Sequence, residues 1–232
     1  MNFNYFLLVI GSISLSLTFL LTTFSFKIKI LGAINDINAK SWNLASAVTL
    51  LNSLFIAIAL AIIAFFLDTF PNLYFLIIFF LANTLIVFFG HVFMFYKLHS
   101  SYHFIKYLTD IYFTKNLLTK GFKQKFTNYS FDLFSFIAWF AFLIGFIFPT
   151  FLAVFFNEYR ATLFQLSFVF NSFGTLITIV ITDKKASLLA DKISYDSNKE
   201  LKITDYLSLV LINRIYASLL VLLILLLIFI IL

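Results

Sequence analysis

Cysteine is absent from the chain, which excludes disulfide frameworks and thiolate metal sites and leaves the compartment open. Only 2 prolines and 6 glycines occur in 232 residues, so obvious helix breaks are few. Charge is scarce as well: 11% of residues are Asp, Glu, Lys or Arg, against about 25% in an ordinary globular domain. Catalytic signatures are missing too. No Walker-type glycine loop ends in Lys-Ser or Lys-Thr, so nucleotide-driven transport has no motif to rest on. No carboxylate pair, HExxH or GxSxG element supports intramembrane hydrolysis. No cofactor, no resident metal and no nucleic-acid partner is expected from these residues.

What the chain has instead is apolar length. Hydrophobic residues make up 62% of it, 35 of them Phe. The runs over 4–26, 42–66, 73–96, 131–156, 161–181 and 207–231 each reach the roughly 20 residues that cross a bilayer as a helix. The expectation is an all-α polytopic membrane protein, one integral domain over 1–232 with six transmembrane helices. The first run precedes its basic residues, Lys27 and Lys29, whereas a cleaved signal carries charge before a shorter apolar core. It reads as a retained anchor. Every lysine falls in the first, third or fifth loop, which puts those loops in the cytoplasm and both termini outside. Residues 97–130 are too polar to span. Leu98, Tyr102, Ile105, Leu108 and Tyr112 recur there at helical spacing beside Lys97, Lys106, Lys115, Lys120, Lys123 and Lys125, a pattern that fits a cytoplasmic interfacial helix between the third and fourth spans. An ordinary positive-inside loop with a helical part gives the same pattern. Residues 182–206 read as a polar loop.

The fifth span carries the densest polar signal. Ser167, Asn171, Gly174, Thr175, Thr178 and Thr182 share one helical face, and a lipid-facing helix has no use for such a stripe. It predicts a helix turned toward a cavity or toward neighbouring helices, where Asn, Ser and Thr also serve as structural glue. In the second span Ser46, Thr49 and Ser53 share a face, with Asn52 beside it. Arg214 is the only charged residue well inside a span, about 10 Å beyond Leu207 at the helical rise. It either snorkels to the cytoplasmic surface or faces inward, where a guanidinium suits phosphate or carboxylate. Gln165, Asn171 and Thr175 are candidates for a sugar or peptide headgroup, and Arg160 for an anionic group on the far side. His99 and His103 lie one turn apart, but a metal needs a third ligand and usually a fourth.

Glu158, Tyr159, Arg160, Ala161 and Thr162, then Gln165, Leu166, Ser167, Asn171 and Thr175, then Asp183 and Ala190-Asp191, resemble the Amj-type lipid II flippases. Leu31-Gly32, Ala45 and Leu51-Asn52 are similar to that family's first cytoplasmic loop and second span. The resemblance implies a multi-pass protein of the bacterial inner membrane, whose partners are membrane lipids and a lipid-linked peptidoglycan precursor. Its expected activity is to move lipid II, the undecaprenyl-pyrophosphate-linked disaccharide-pentapeptide, to the outer leaflet without ATP. On that reading Arg214 and Lys27 engage pyrophosphate, Asn52, Gln165, Asn171 and Thr175 line the headgroup path, and Arg160 marks the exit. The rival readings are a small-solute carrier or substrate-binding membrane subunit, and an assembly protein whose polar stripe is packing glue.

Overall fold

The computed structural model describes residues 3–69, 71–113, 117–122, 131–192 and 199–232. Among them all regular structure is helical, and six helices are long and apolar enough to cross a membrane. Helix α1 spans Phe3–Ile34 and α2 spans Asn38–Thr69. They pair along their length across a short turn at Asp36, whose φ of 57° lies in the left-handed region that Asp tolerates at a helix end. Helix α3, Leu73–Tyr96, starts at Asn72, whose side chain accepts hydrogen bonds from the amides of Tyr74 and Phe75. Lys97 alone separates it from α4, Leu98–Phe113. Helix α5 is Leu133–Phe155, capped by Asp132. After a 3₁₀ turn at Asn157–Tyr159 come α6, Arg160–Ile177, a π-helical turn at Thr178–Asp183, and α7, Lys184–Lys192. Helix α8, Lys199–Ile231, closes the bundle against α3 and α5.

The six spans stand where the apolar runs lie, but three helices extend well past them. Lys27 and Lys29 belong to α1 and not to a loop, and residues 182–192 and 199–206 are helical where a polar loop was expected. Hydropathy marks only the stretch that meets lipid, whereas a helix propagates as long as each residue adds a backbone bond.

Two apolar cores stack along the bundle. One, with Phe19, Phe79, Trp139, Phe146 and Val221, lies at membrane depth. The other joins the ends of α1 and α8 to α4 and to Leu118 and Phe122. In α4 the stripe Leu98, Tyr102 and Ile105 is buried in this second core, with Leu108 against it, so it packs on protein instead of facing lipid. Phe104, Tyr107 and Ile111 are exposed on the other side of α4, as is Tyr112. The lysine positions 115, 123 and 125 lie outside the described residues.

Helix α6 packs chiefly on α5, and glycine sets the separation. A Cβ on Gly145 would come 2.8 Å from Cβ of Phe170, and one on Gly174 would come 3.0 Å from the Ala138 carbonyl oxygen. Small residues that let helix backbones approach are the usual means of association in lipid. Elsewhere polar groups tie spans together: Asn83 Nδ2 on α3 donates to Ser16 Oγ on α1 at 2.9 Å.

Candidate functional site

The α1–α2 pair and the α5–α6 pair stand apart, and between them opens a cavity of about 340 Å³ with Arg214 of α8 in its wall. The rest of its polar lining comes from four further elements: Thr18, Thr22, Ser25 and Lys29 of α1, Thr49, Asn52 and Ser53 of α2, Ser167, Asn171 and Thr175 of α6, and Thr178 and Asp183 of the π turn. Phe19, Phe142 and Phe146 supply apolar walls.

Among the described residues, three side-chain oxygens at this cavity are buried without a hydrogen-bond partner: Asn52 Oδ1, Ser167 Oγ and Asn171 Oδ1. Asn52 uses its amide nitrogen, donating to Thr22 Oγ1 at 3.2 Å, and keeps its oxygen spare. An unsatisfied buried acceptor costs about 1–3 kcal/mol, so three around one cavity mark a place where a ligand or water completes the bonding.

Arg214 is 3% exposed, so it does not snorkel to the surface. Its guanidinium donates to Thr23 Oγ1 and lies over the Trp139 ring at 4.3 Å and the Phe26 ring at 5.5 Å. Cation–π contact partly replaces hydration for a guanidinium in such surroundings. Arg214 makes no ion pair among the described residues, so the cavity has a buried cation with donor capacity left over. Of its neighbours on α8, Asn213 accepts from the Asp132 amide at 3.2 Å, Ser218 bonds back to the Arg214 carbonyl, and Tyr216 points outward.

At the cytoplasm-facing end expected from the lysine distribution, Lys29 Nζ meets Asp183 Oδ2 at 2.7 Å and sits 4.2 Å from the centre of the Trp42 ring. Lys29 and Asp183 also line a second cavity, of about 270 Å³, with Asn38, Trp42 and Ser187. The ion pair therefore stands between the two spaces. The π turn that carries Asp183 is the rarer, wider helix geometry, held by Tyr206 Oη donating to the Thr182 carbonyl at 3.0 Å.

Of the seven site residues expected from sequence, Arg214, Asn171, Thr175 and Asn52 meet at this cavity. Three do not. Gln165 is exposed on the outer side of α6. Arg160 pairs with Asp68 at 3.3 Å, away from the cavity lining. Lys27 is fully buried on the opposite side of α1, donating to the Met94 carbonyl and to Ser101 Oγ, both at 3.0 Å. His91 is also a core residue, with Nε2 2.8 Å from Thr23 Oγ1, whereas His103 is exposed on α4; the side chains of His99, Ala190 and Asp191 lie outside the described residues. Sequence reading passed over the hydroxyl residues of α1, where Thr18, Thr22 and Ser25 recur three and four apart, and over the pair Lys29–Asp183. The hydroxyl spacing was the available signal; the pair, 154 residues apart, had none.

No protein-family model, curated protein or solved structure matches the chain. The fold and site define a multi-pass helical membrane protein with a polar, cation-bearing cavity between helix pairs.

Proposed function

We propose that the chain is a flippase that moves lipid II, the undecaprenyl-pyrophosphate-linked peptidoglycan precursor, from the cytoplasmic to the outer leaflet of a bacterial inner membrane. The observation that carries this reading is Arg214: a buried guanidinium without an ion-pair partner among the described residues, in the wall of a cavity whose other unsatisfied atoms are acceptors. A diphosphate accepts from the cation, while sugar hydroxyls and peptide amides donate to Asn52, Ser167 and Asn171. The gap between the two helix pairs gives a polyisoprenyl tail a path that stays in lipid. Lys29–Asp183 is the cytoplasmic gate; an incoming diphosphate competes with Asp183 for Lys29 and opens the way toward Arg214. Alternating opening at the two ends completes the movement, with membrane potential biasing a charged cargo. Lysines in and beside the helix ends that flank the first, third and fifth connections favour a cytoplasmic gate with both termini outside. Helix α4 rests on the cytoplasmic interface through Tyr107 and Ile111, on the face opposite its buried core contacts.

The cavity volume favours a second reading. About 340 Å³ is near the lower end of small-molecule sites, so it holds the diphosphate and part of a sugar unless α2 and α6 separate further. A carrier for a small anionic solute needs no such separation.

The deciding experiment is expression in bacteria depleted of their lipid II flippases, scored by growth and by outer-leaflet exposure of lipid II. Rescue by the natural sequence, lost with Arg214→Ala at equal protein level, supports the proposal. Failure to rescue by a folded, inserted protein moves the assignment to the small-anion carrier, which is then tested by anion uptake into proteoliposomes.

A further inference from the structure

On the side of α1 and α2 away from the central cavity runs a second groove, of about 800 Å³. Leu17, Leu20 and Gly90 lie toward its membrane end, Leu44 and Phe93 further along, and Phe104 of α4 at the cytoplasmic end. Its walls are apolar until that end, where Lys97 and Ser101 close it. Lys97 is the single residue between α3 and α4, and it is exposed.

Behind this polar end stands Lys27. Its side chain is wholly buried, and its hydrogen bonds go to neutral oxygens, the Met94 carbonyl and Ser101 Oγ. No ion pair of Lys27 occurs among the described residues. A buried ammonium without an opposite charge is among the costlier arrangements in a protein, and it is relieved when an anion comes close. Ser101 Oγ accepts from Lys27 and donates to the Leu98 carbonyl at 2.7 Å while also lining the groove, so it links the buried cation to the open end and binds a phosphate by turning its proton from that carbonyl.

We infer that this groove is a binding site for an anionic phospholipid, the acyl chain lying along the α1–α2–α3 channel and the phosphate held by Lys97 and Ser101 in front of Lys27. Two lysines at one end and hydrocarbon along the rest match the charge and shape of one lipid molecule. The site faces away from the central cavity, so it does not depend on what cargo that cavity carries.

The test is native mass spectrometry of the delipidated full chain titrated with phosphatidylglycerol or phosphatidylcholine. One phosphatidylglycerol is expected to bind about thirtyfold more tightly than phosphatidylcholine, the order given by two lysines facing one headgroup. Lys97→Ser is expected to reduce that preference about fivefold, since an interfacial lysine contributes roughly 1 kcal/mol toward anionic lipid. Lys27→Met is expected to reduce it further, and Ala47→Trp, which fills the groove, to remove the bound lipid. Val169→Trp on the outer face of α6 serves as the bulky control and leaves binding unchanged. Lys97 is exposed, so its variant remains informative where Lys27→Met does not fold. Equal binding of the two lipids, or a preference untouched by both Lys97→Ser and Ala47→Trp, overturns the inference. Displacement of the preference by millimolar inorganic phosphate also overturns it, by making the occupant a soluble anion.

Discussion

Replacing Asp183 by Asn tests the gate most directly. The substitution keeps the side chain's shape and removes its charge, which leaves Lys29 facing a neutral amide beside Trp42. Two unit charges 2.7 Å apart attract by about 6 kcal/mol at an effective dielectric constant of about 20. Much of that is offset by the dehydration of both groups, since the side chains are 22% and 8% exposed. Breaking a buried pair by removing one partner costs about 3–5 kcal/mol, and the residual exposure of Lys29 brings the expected loss to roughly 2–3 kcal/mol. Lys29→Met should cost a similar amount, and the double variant Lys29→Met with Asp183→Asn should cost less than either, giving a coupling of at least about 2–3 kcal/mol. Reversible unfolding in mixed micelles measures all four proteins. The charge-exchanged protein, Lys29→Asp with Asp183→Lys, should recover most of the stability but not transport, because the cation then stands on the π turn instead of α1. Additive single effects, with coupling under about 0.5 kcal/mol, would refute the pair as a gate element. Full transport in the exchanged protein would refute the claim that Lys29 itself meets the cargo.

Asn171→Ala removes an oxygen that has no partner, so stability should change by under about 1 kcal/mol while transport falls; Asn83→Ala breaks the bond to Ser16 and should show the converse, a stability loss of about 1–2 kcal/mol with transport retained once folded. Melting and transport assays on the two variants separate ligand contact from packing glue. Gly174→Leu places carbon against the Ala138 carbonyl and the Phe142 ring, and should cost about 1–3 kcal/mol by pushing α6 from α5. Disulfide crosslinking between cysteines introduced on those two helices should slow accordingly. Gln165→Ala, on the exposed side of α6, should leave stability and transport at the natural level, and any transport loss above about tenfold would return Gln165 to the site.

The number and type of the spans were readable from hydropathy because lipid imposes a length on every crossing helix. Half of the site was readable for a related reason: Ser167, Asn171 and Thr175 recur at helical spacing in an apolar context, which fixes their common face before any partner is known. Gln165 is singled out by its polarity near Asn171 and not by its spacing. Two positions before Ser167, at about 100° per residue, it points nearly the opposite way. The ends of the helices were not readable, since residues 27–34, 182–192 and 199–206 leave the apolar zone while the backbone ladder continues.

Lys27 and Lys29 show where such reasoning needs a tertiary contact. Both are single lysines at the same end of one apolar helix, and the two-residue offset sends them to opposite faces of α1. Which face holds the central cavity depends on α2 crossing α1 so that Asn52 and Thr22 meet, a contact no local pattern specifies. Once that contact is known, the three buried or half-buried cations separate by their partners. Lys29 has Asp183 within the chain, so its charge can be exchanged for a cargo's without leaving either group unpaired for long. Among the described residues Arg214 has only a hydroxyl and two aromatic faces, and Lys27 only neutral oxygens. In a medium that penalises unpaired charge, the cation already paired is suited to switching, and the two left unpaired are suited to holding an anion from outside the chain.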